Sequence, residues 1–296
     1  REKGSAMNTL VDSPAQRTWK PNDTWLLGLV LAVITFWLFA QTLLNVIPGI
    51  QGELGVPETL ANFAVSITSL FSGIFIVVAG GLADRFGHYK ILLAGISLSI
   101  AGSLLIALTP ENMGALTSTT LLTGRILQGL SSACIMPASL ALVKNFYDGK
   151  DRQRAISIWS IGSWGGSGFC SLFGGLMAAS FLGWRSIFWI SIVVALVSLF
   201  LLRGTPNPKA EIAPDPEQQG FDWGGLITFI ITMVALNVYI SQGPNIGWLS
   251  PLGLVLVFTT AVAGLVFLYI ETHRHRTFMN VKIFGNRTSA HCSPGC

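Results

Sequence analysis

Two groups of charged residues stand out in this chain of 296 residues because long apolar stretches surround them. The first is the pair Asp84 and Arg85, which lies in a short turn between Gly80 and Gly87. The second is Arg125, which lies inside an apolar segment, far from either of its ends. An ion in hydrocarbon is costly, so such groups lie at a membrane surface, face a cavity or meet a polar partner. We therefore predict a surface turn at Asp84 and a polar partner for Arg125.

The sequence contains no residue set typical of covalent or metal-dependent catalysis. It lacks the glycine-rich lysine motif that binds ATP phosphates, and its four histidines fall in predicted loops or in the C-terminal tail. The tail group of His291, Cys292 and Cys296 is a poor metal site, and no cysteine pair has the spacing of a disulfide in an outer loop. We predict no catalytic residues, no metal site, no cofactor and no enzymatic activity.

Composition predicts an all-α integral membrane protein. Hydrophobic residues make up 51% of the chain and charged residues only 11%, whereas soluble proteins carry about 25% charged residues. Windows of ~19 mostly apolar residues mark helices that cross a bilayer. The chain has such windows at residues 24–46, 61–81, 91–109, 118–143, 155–182, 184–202, 224–241 and 250–270, the seventh being expected to end at Gly243-Pro244.

Lysine and arginine residues indicate the orientation of these spans. With the N-terminus in the cytoplasm, only Arg185 falls in an outer loop and only Arg125 inside a span, which leaves sixteen of the 18 basic residues on the cytoplasmic side. This asymmetry is typical of membrane proteins with a cytoplasmic N-terminus. Contact with lipid head groups accounts for the net charge of +4, and nothing supports nucleic acid as a partner.

The pattern divides the chain into a six-helix bundle and a two-helix hairpin, separated by a linker rich in proline and acidic residues. Repeated prolines cannot lie within a helix, so we predict an irregular cytoplasmic linker. The terminal segments 1–6 and 289–296 break the pattern, and we expect a truncated chain. The predicted parts are an N-terminal tail at 1–23, the bundle at 24–203, the linker at 204–222, the hairpin at 223–270 and a tail at 271–296.

The turn from Gly80 to Lys90 resembles the signature loop between helices 2 and 3 of the major facilitator superfamily. That resemblance implies that Asp84 pairs with basic neighbours and with the positive end of a helix in the second half of a transporter, which favours one access state. Arg85 and Gly87 complete the gating motif, although His88 stands where the family prefers Arg or Lys. The alternative interpretation is a turn that only fixes topology.

Residues 124–129, Gly-Arg-Ile-Leu-Gln-Gly, resemble the superfamily motif R-x-x-q-G in helix 4. In that motif the arginine is implicated in proton coupling, a role that the resemblance implies for Arg125. Gln128 and Ser132 lie about one turn further along roughly the same face. With Gln41 and Asn45 of helix 1, they are the polar groups that we expect to meet Arg125 and to line the substrate cavity. The alternative is a structural arginine that helix carbonyls satisfy, and the two roles are compatible.

Small residues recur at steps of four in helix 5 and resemble part of the antiporter motif g-x-x-x-G-P-x-x-G-G. Gly166, Gly174 and Gly175 fit this motif, whereas Cys170 and Ser171 replace its Gly-Pro pair. Together with Gly162, the ridge predicts close approach of a neighbouring helix. The missing pair weakens the inference of export.

Helix 1 carries Trp37, Gln41 and Asn45 at steps of four and resembles the family motif D-x-T-x-x-N-V-x-x-P. The motif's acid is absent, since Ala40 stands in its place, and all 14 acidic residues of the chain map to loops, termini or helix ends. The stripe predicts either substrate contact in a cavity or polar contacts between helices. Proton coupling would then need a carboxylate from the second half or another arrangement around Arg125.

Two further segments bear on the branch of the family and on the outer surface. Residues 221–225 and 278–288 resemble stretches of the fourteen-helix drug:proton antiporters, and the resemblance covers residues 24–288. The turn Gly183-Trp184-Arg185 resembles a family turn, and we interpret it as an aromatic anchor with an arginine that extends to the membrane surface.

The resemblance implies the N-terminal part of a proton-coupled multidrug exporter in a bacterial plasma membrane. Two six-helix halves would rock around a midplane cavity and move small amphipathic compounds outward against inward proton flow. The implied partners are the bilayer, the substrate, protons and a missing C-terminal half. The alternatives are a small-metabolite transporter of the same superfamily and a non-transporting fragment of a broken gene.

Overall fold

The computed structural model describes residues 21–180, 182–206 and 223–273, and within them the chain is helical with no strand. From Asp23 to Leu201 the helices follow one another through short connections, and the predicted all-α membrane fold is confirmed. Their bounds are α1 Asp23–Leu54, α2 Glu58–Phe86, α3 His88–Ala107, α4 Ala115–Phe146, α5 Gly149–Ser160, α6 Gly166–Ala179, α7 Arg185–Leu201, α8 Trp223–Ile246 and α9 Pro251–His273.

The chain folds into two compact units that meet in sequence between residues 211 and 212. The first unit contains α1 to α7, and the second contains the α8–α9 hairpin. The division falls within the predicted linker at 204–222, most of which lies outside the described residues. α8 continues through Pro244 to Ile246, so the expected end of the seventh span at that proline was wrong.

Helix lengths and composition in the described residues suit a bilayer. Five helices contain an apolar stretch of at least 18 residues, and α7 and part of α8 are shorter apolar helices. The predicted span 155–182 corresponds to α5 and α6, which a π-helical turn at Ile161–Gly165 joins into one rod. Large apolar side chains such as Phe200 and Phe258 point outward, each 71% exposed, as lipid contact requires.

With α5 and α6 taken as one rod, successive helices of the first unit run in opposite directions, so the bundle has two ends. At the proximal end, where α1 begins, the Trp25 indole donates to Thr205 Oγ1 (2.8 Å) and the Tyr89 hydroxyl donates to the Leu202 carbonyl (3.0 Å). At the distal end, where α1 ends, the Arg185 guanidinium donates to the Ala107 carbonyl (2.8 Å). These contacts fasten the first and last helices of the unit to its middle.

Glycines let α4 lie unusually close to both of its neighbours. A Cβ added at Gly129 would lie 2.6 Å from the Thr68 carbonyl oxygen of α2, and one at Gly102 would lie 2.9 Å from the Gly124 carbonyl oxygen. Small residues at crossing points bring helix backbones together in membranes. α4 is therefore the centre of the unit, and its side chains meet those of α2 and α3 directly.

Candidate functional site

Arg125 lies at the centre of the bundle, and its guanidinium is bound by neutral oxygens. The side chain is 1% exposed and donates to the carbonyls of Ala64 (3.0 Å) and Phe39 (3.1 Å) and to Gln128 Oε1 (2.7 Å). Gln128 in turn donates to Ser103 Oγ (3.2 Å). One cation thus connects α1, α2, α3 and α4.

No carboxylate among the described residues forms an ion pair with Arg125. The described acidic residues all lie at helix ends or in turns, as the sequence predicts. A fixed positive charge disfavours a second positive charge nearby. A protonatable group brought close to Arg125 would therefore release its proton readily, which is the property that a coupling site needs.

Polar contacts continue from Arg125 along the α2–α4 interface. The Thr68 hydroxyl donates to the Arg125 carbonyl (3.1 Å), and the Ser132 hydroxyl donates to Ser72 Oγ (2.7 Å). The sequence analysis missed Thr68, Ser72 and Ser103. The spacing of four between Thr68 and Ser72 is the signal that could have identified a polar stripe on α2.

The predicted stripe on α1 is only partly within the described side chains. The backbone of α1 is helical at Gln41 and Asn45, but their side chains lie outside the described part of the chain. Trp37 is partly buried against the backbone of Gly166 on α6, and its indole N–H has no acceptor among the described residues. The indole nitrogen is itself buried, so this donor is not open to solvent in the described structure.

The glycine ridge contacts α1 over part of its predicted length. A Cβ added at Gly162 would meet Val30 Cγ1 at 2.5 Å, and one at Gly166 would meet Trp37 Cδ1 at 3.2 Å. Cys170 and Gly174 are buried further along, whereas Gly175 faces open space. The sequence did not predict the π-helical turn at Ile161–Gly165, which widens the rod just before this contact.

The motif segment around Asp84 lies at the proximal end and is mostly exposed, but the chain turns at Gly87 and not at Asp84 as predicted. α2 continues through Asp84 and Arg85 to Phe86, and Gly87 follows with a φ of 99°, a conformation that other residues rarely adopt. His88 Nε2 lies 3.1 Å from Asp84 Oδ1, and the Asp84 side chain is 71% exposed. The Asp84 carboxylate is therefore largely accessible to solvent.

No group of three metal-ligating side chains occurs within the described residues. Arg125 lies in the middle of α4 and Asp84 near the end of α2, and no hydrogen bond among the described residues joins their side chains or a shared partner. The candidate site thus has two parts, a buried cation at the centre and an exposed carboxylate at the proximal end.

Comparison with known proteins gives a family match over most of the chain. The Major Facilitator Superfamily matches residues 27–285. The chain is 45% identical over 277 residues to the quinolone resistance protein NorB of Staphylococcus aureus strain MRSA252, and equally to that of strain MSSA476. Each alignment covers 94% of this chain but 58% of the relative, so the chain spans little more than half the length of these relatives.

Solved structures of low identity share the fold. A peptide transporter POT in complex with sulfate superposes with a TM-score of 0.59 at 17% identity, over 83% of this chain and 52% of that chain. A D-xylose-proton symporter superposes with a TM-score of 0.53 at 16% identity, over 83% of this chain and 67% of that chain. These similarities concern the fold alone.

Proposed function

The chain belongs to the Major Facilitator Superfamily, and we propose that it forms the N-terminal part of a transporter that exports small amphipathic compounds in exchange for protons. The observation that carries this proposal is the 45% identity to quinolone resistance proteins over 94% of the chain. The apolar bundle, in which Arg125 is the one buried cation among the described residues, is compatible with it. The segment that completes the relatives' length would supply the opposite wall of the cavity and a carboxylate for the proton.

In this proposal Arg125 is the coupling residue. It is held in place by three hydrogen bonds, and its charge has no carboxylate partner in the described bundle. Arrival of a proton near this charge is unfavourable, whereas release is favourable. Substrate would lie beside α1, along which Trp37, Gln41 and Asn45 follow one another at steps of four.

Asp84 is proposed to serve the change of access state. In bacterial cells that express the complete transporter, Asp84→Asn should insert normally and lose most export of a quinolone, measured as increased drug accumulation. Asp148→Asn is the matched control, because Asp148 is an exposed acid at the same end of the bundle with a basic partner four residues later. Loss of such a surface pair has little effect. If cells with Asp84→Asn accumulate no more drug than cells with the parent transporter, the motif has only a structural role.

We further propose a bacterial plasma membrane location with the proximal end of the bundle in the cytoplasm. Single cysteines at Met113 and Glu58, both exposed at the distal end, are introduced into a variant of the protein without other cysteines. They should react with an impermeant thiol reagent in intact cells. Cysteines at Arg85 and Lys150, both exposed at the proximal end, should react only after permeabilisation. The reverse labelling pattern would invert the proposed orientation.

A further inference from the structure

Three segments that are distant in sequence meet at Arg185 on the distal end of the bundle. The guanidinium donates to Glu53 Oε1 at the end of α1 (2.7 Å) and to Glu111 Oε1 in the α3–α4 connection (3.2 Å). It also donates to the carbonyls of Ala107 (2.8 Å) and Thr109 (3.0 Å). Arg185 was interpreted from sequence as extending to the membrane surface, and this was wrong, because its donors are directed at protein oxygens.

Trp184 completes the attachment of α1. Its indole donates to Glu53 Oε2 (2.6 Å), so adjacent residues of one turn bind both carboxylate oxygens. The Arg185 guanidinium also lies 4.8 Å from the centre of the Trp184 ring, and the ring is 4% exposed. Two charge-assisted bonds from a rigid turn fix both the position and the rotation of the carboxylate.

The α3–α4 connection is itself held against the end of α1. Gly55 ends α1 with a φ of 64°, and Asn112 lies over it so closely that a side chain at Gly55 would collide with the Asn112 amide oxygen. Thr117 donates to the Pro110 carbonyl (2.8 Å) and accepts from the Met113 backbone N–H (3.0 Å). The acceptors of Arg185 are therefore presented by an ordered connection.

We propose that Glu53 and Arg185 are positioning residues that hold the distal end of α1 in fixed register against α7 and the α3–α4 connection. α1 carries Trp37 and the backbone of Gln41 and Asn45, so this attachment sets where the proposed substrate stripe lies. The inference rests on the proposed function for its consequence in transport, but the attachment itself does not depend on transport. We name the group Glu53, Glu111, Trp184 and Arg185 the Arg185 cluster.

Members of the Arg185 cluster differ in exposure, and this predicts which of them contribute most to holding the end of α1 in place. The side chains of Arg185 and Glu53 are 23% and 37% exposed, whereas Glu111 is 56% exposed with a longer contact. Exposed pairs contribute little because water screens them. Glu111→Gln is therefore a matched control for Glu53→Gln, since both changes remove a carboxylate that faces the same guanidinium.

Spin-label distances test the attachment without transport. Labels on α1 at Gly52 and on the connection at Met113, both exposed, report on the distal end; labels at Phe86 and Lys150 report on the proximal end. Glu53→Gln should broaden the distal distribution and leave the proximal one unchanged, while Glu111→Gln should change neither. A distal distribution that stays as narrow in Glu53→Gln as in the parent would overturn the proposal.

Transport by the complete protein provides the second measurement. Glu53→Gln should raise the substrate concentration for half-maximal export about tenfold with a smaller change in the maximal rate, because one charge-assisted hydrogen bond is lost. Arg185→Lys should rescue poorly, since lysine cannot reach four acceptors as a planar fork can. A maximal rate that falls by as large a factor as the half-saturation concentration rises would contradict a positioning role. If Glu53→Gln broadens the distal distances but the parent protein moves no substrate, the proposed function is contradicted and the positioning proposal still holds.

Acid titration gives an independent check. Burial raises the pKa of Glu53, but the hydrogen bonds from Arg185 and Trp184 and the charge of Arg185 outweigh this, so the pKa lies below its ordinary value of 4.5. The neighbouring charged groups are Arg185 and Glu111, and Glu58 lies exposed at the start of α2. The stabilisation is thus complete above about pH 4.5 and is lost as the pH falls through the lowered pKa. When the pH is lowered below this value, the melting temperature of the parent chain should decrease, and that of Glu53→Gln should decrease less. Identical curves of melting temperature against pH would contradict the contribution of the Glu53–Arg185 ion pair.

Discussion

Replacing Arg125 with alanine is expected to abolish proton-driven export by the complete transporter and to lower the melting temperature of the bundle. The change removes the group that connects Phe39 of α1, Ala64 of α2 and Gln128 of α4. It leaves the Gln128 side-chain oxygen buried without that donor, at a cost of about 1–3 kcal/mol. Export measured in inverted membrane vesicles and melting measured in detergent report the two effects separately.

Two variants at the same position separate coupling from stability. Arg125→Met keeps most of the volume and removes the charge, so it should fold better than Arg125→Ala and still fail to export. Arg125→Lys keeps the charge but lacks the planar fork that reaches three acceptors, so it should restore little transport. Proton-driven export at the parental rate by Arg125→Met would show that the arginine is structural only.

The second large effect is expected at the crossing of α2 and α4. Leucine at Gly129 would place its Cβ 2.6 Å from the Thr68 carbonyl and 2.9 Å from Phe71 Cβ, so the backbones must separate. Overpacking of this kind costs about 1–3 kcal/mol and occasionally more. The same separation would pull Ala64 away from Arg125. We expect Gly129→Leu to reach the membrane poorly or to melt well below the parent protein.

Gly73→Leu is the matched control for this prediction. Gly73 follows directly after the α2 residues that Gly129 contacts. It is exposed, and a Cβ there would meet nothing within 4 Å. Leucine favours a helix over glycine by up to about 1 kcal/mol. Gly73→Leu should therefore be neutral or slightly stabilising. Equal melting of the two variants would contradict the close approach of α2 and α4.

Hydropathy located the helices but not their ends. The fourth span was predicted at 118–143, whereas α4 runs from Ala115 to Phe146, because hydropathy detects only the part of a helix that lies in hydrocarbon. The π-helical turn at Ile161–Gly165 could not be predicted, since a glycine-rich apolar segment fits a regular helix equally well. Gly162 within this turn packs against Val30 of α1, a contact between distant segments that no local pattern marks.

Contacts of the charged residues were predicted unevenly, and the reason is physical. Spacing along one helix identified Gln128 as a partner of Arg125, because residues three apart share a face. The other acceptors of Arg125 are main-chain carbonyls of α1 and α2, which every residue possesses and no sequence pattern marks. Glu53 and Arg185 are 132 residues apart, and only the antiparallel arrangement of α1 and α7 brings them together.

The most direct test of proton-coupled export uses the complete transporter in liposomes with an acidic interior, and measures uptake of a quaternary ammonium dye. Such a dye is permanently charged, so a pH gradient alone cannot trap it. We predict that protons leaving the vesicle drive dye inward, that a proton ionophore stops uptake, and that Arg125→Met vesicles resemble protein-free ones. Dye uptake that persists without the gradient, or that is equal in Arg125→Met vesicles, would contradict proton-coupled transport through this bundle.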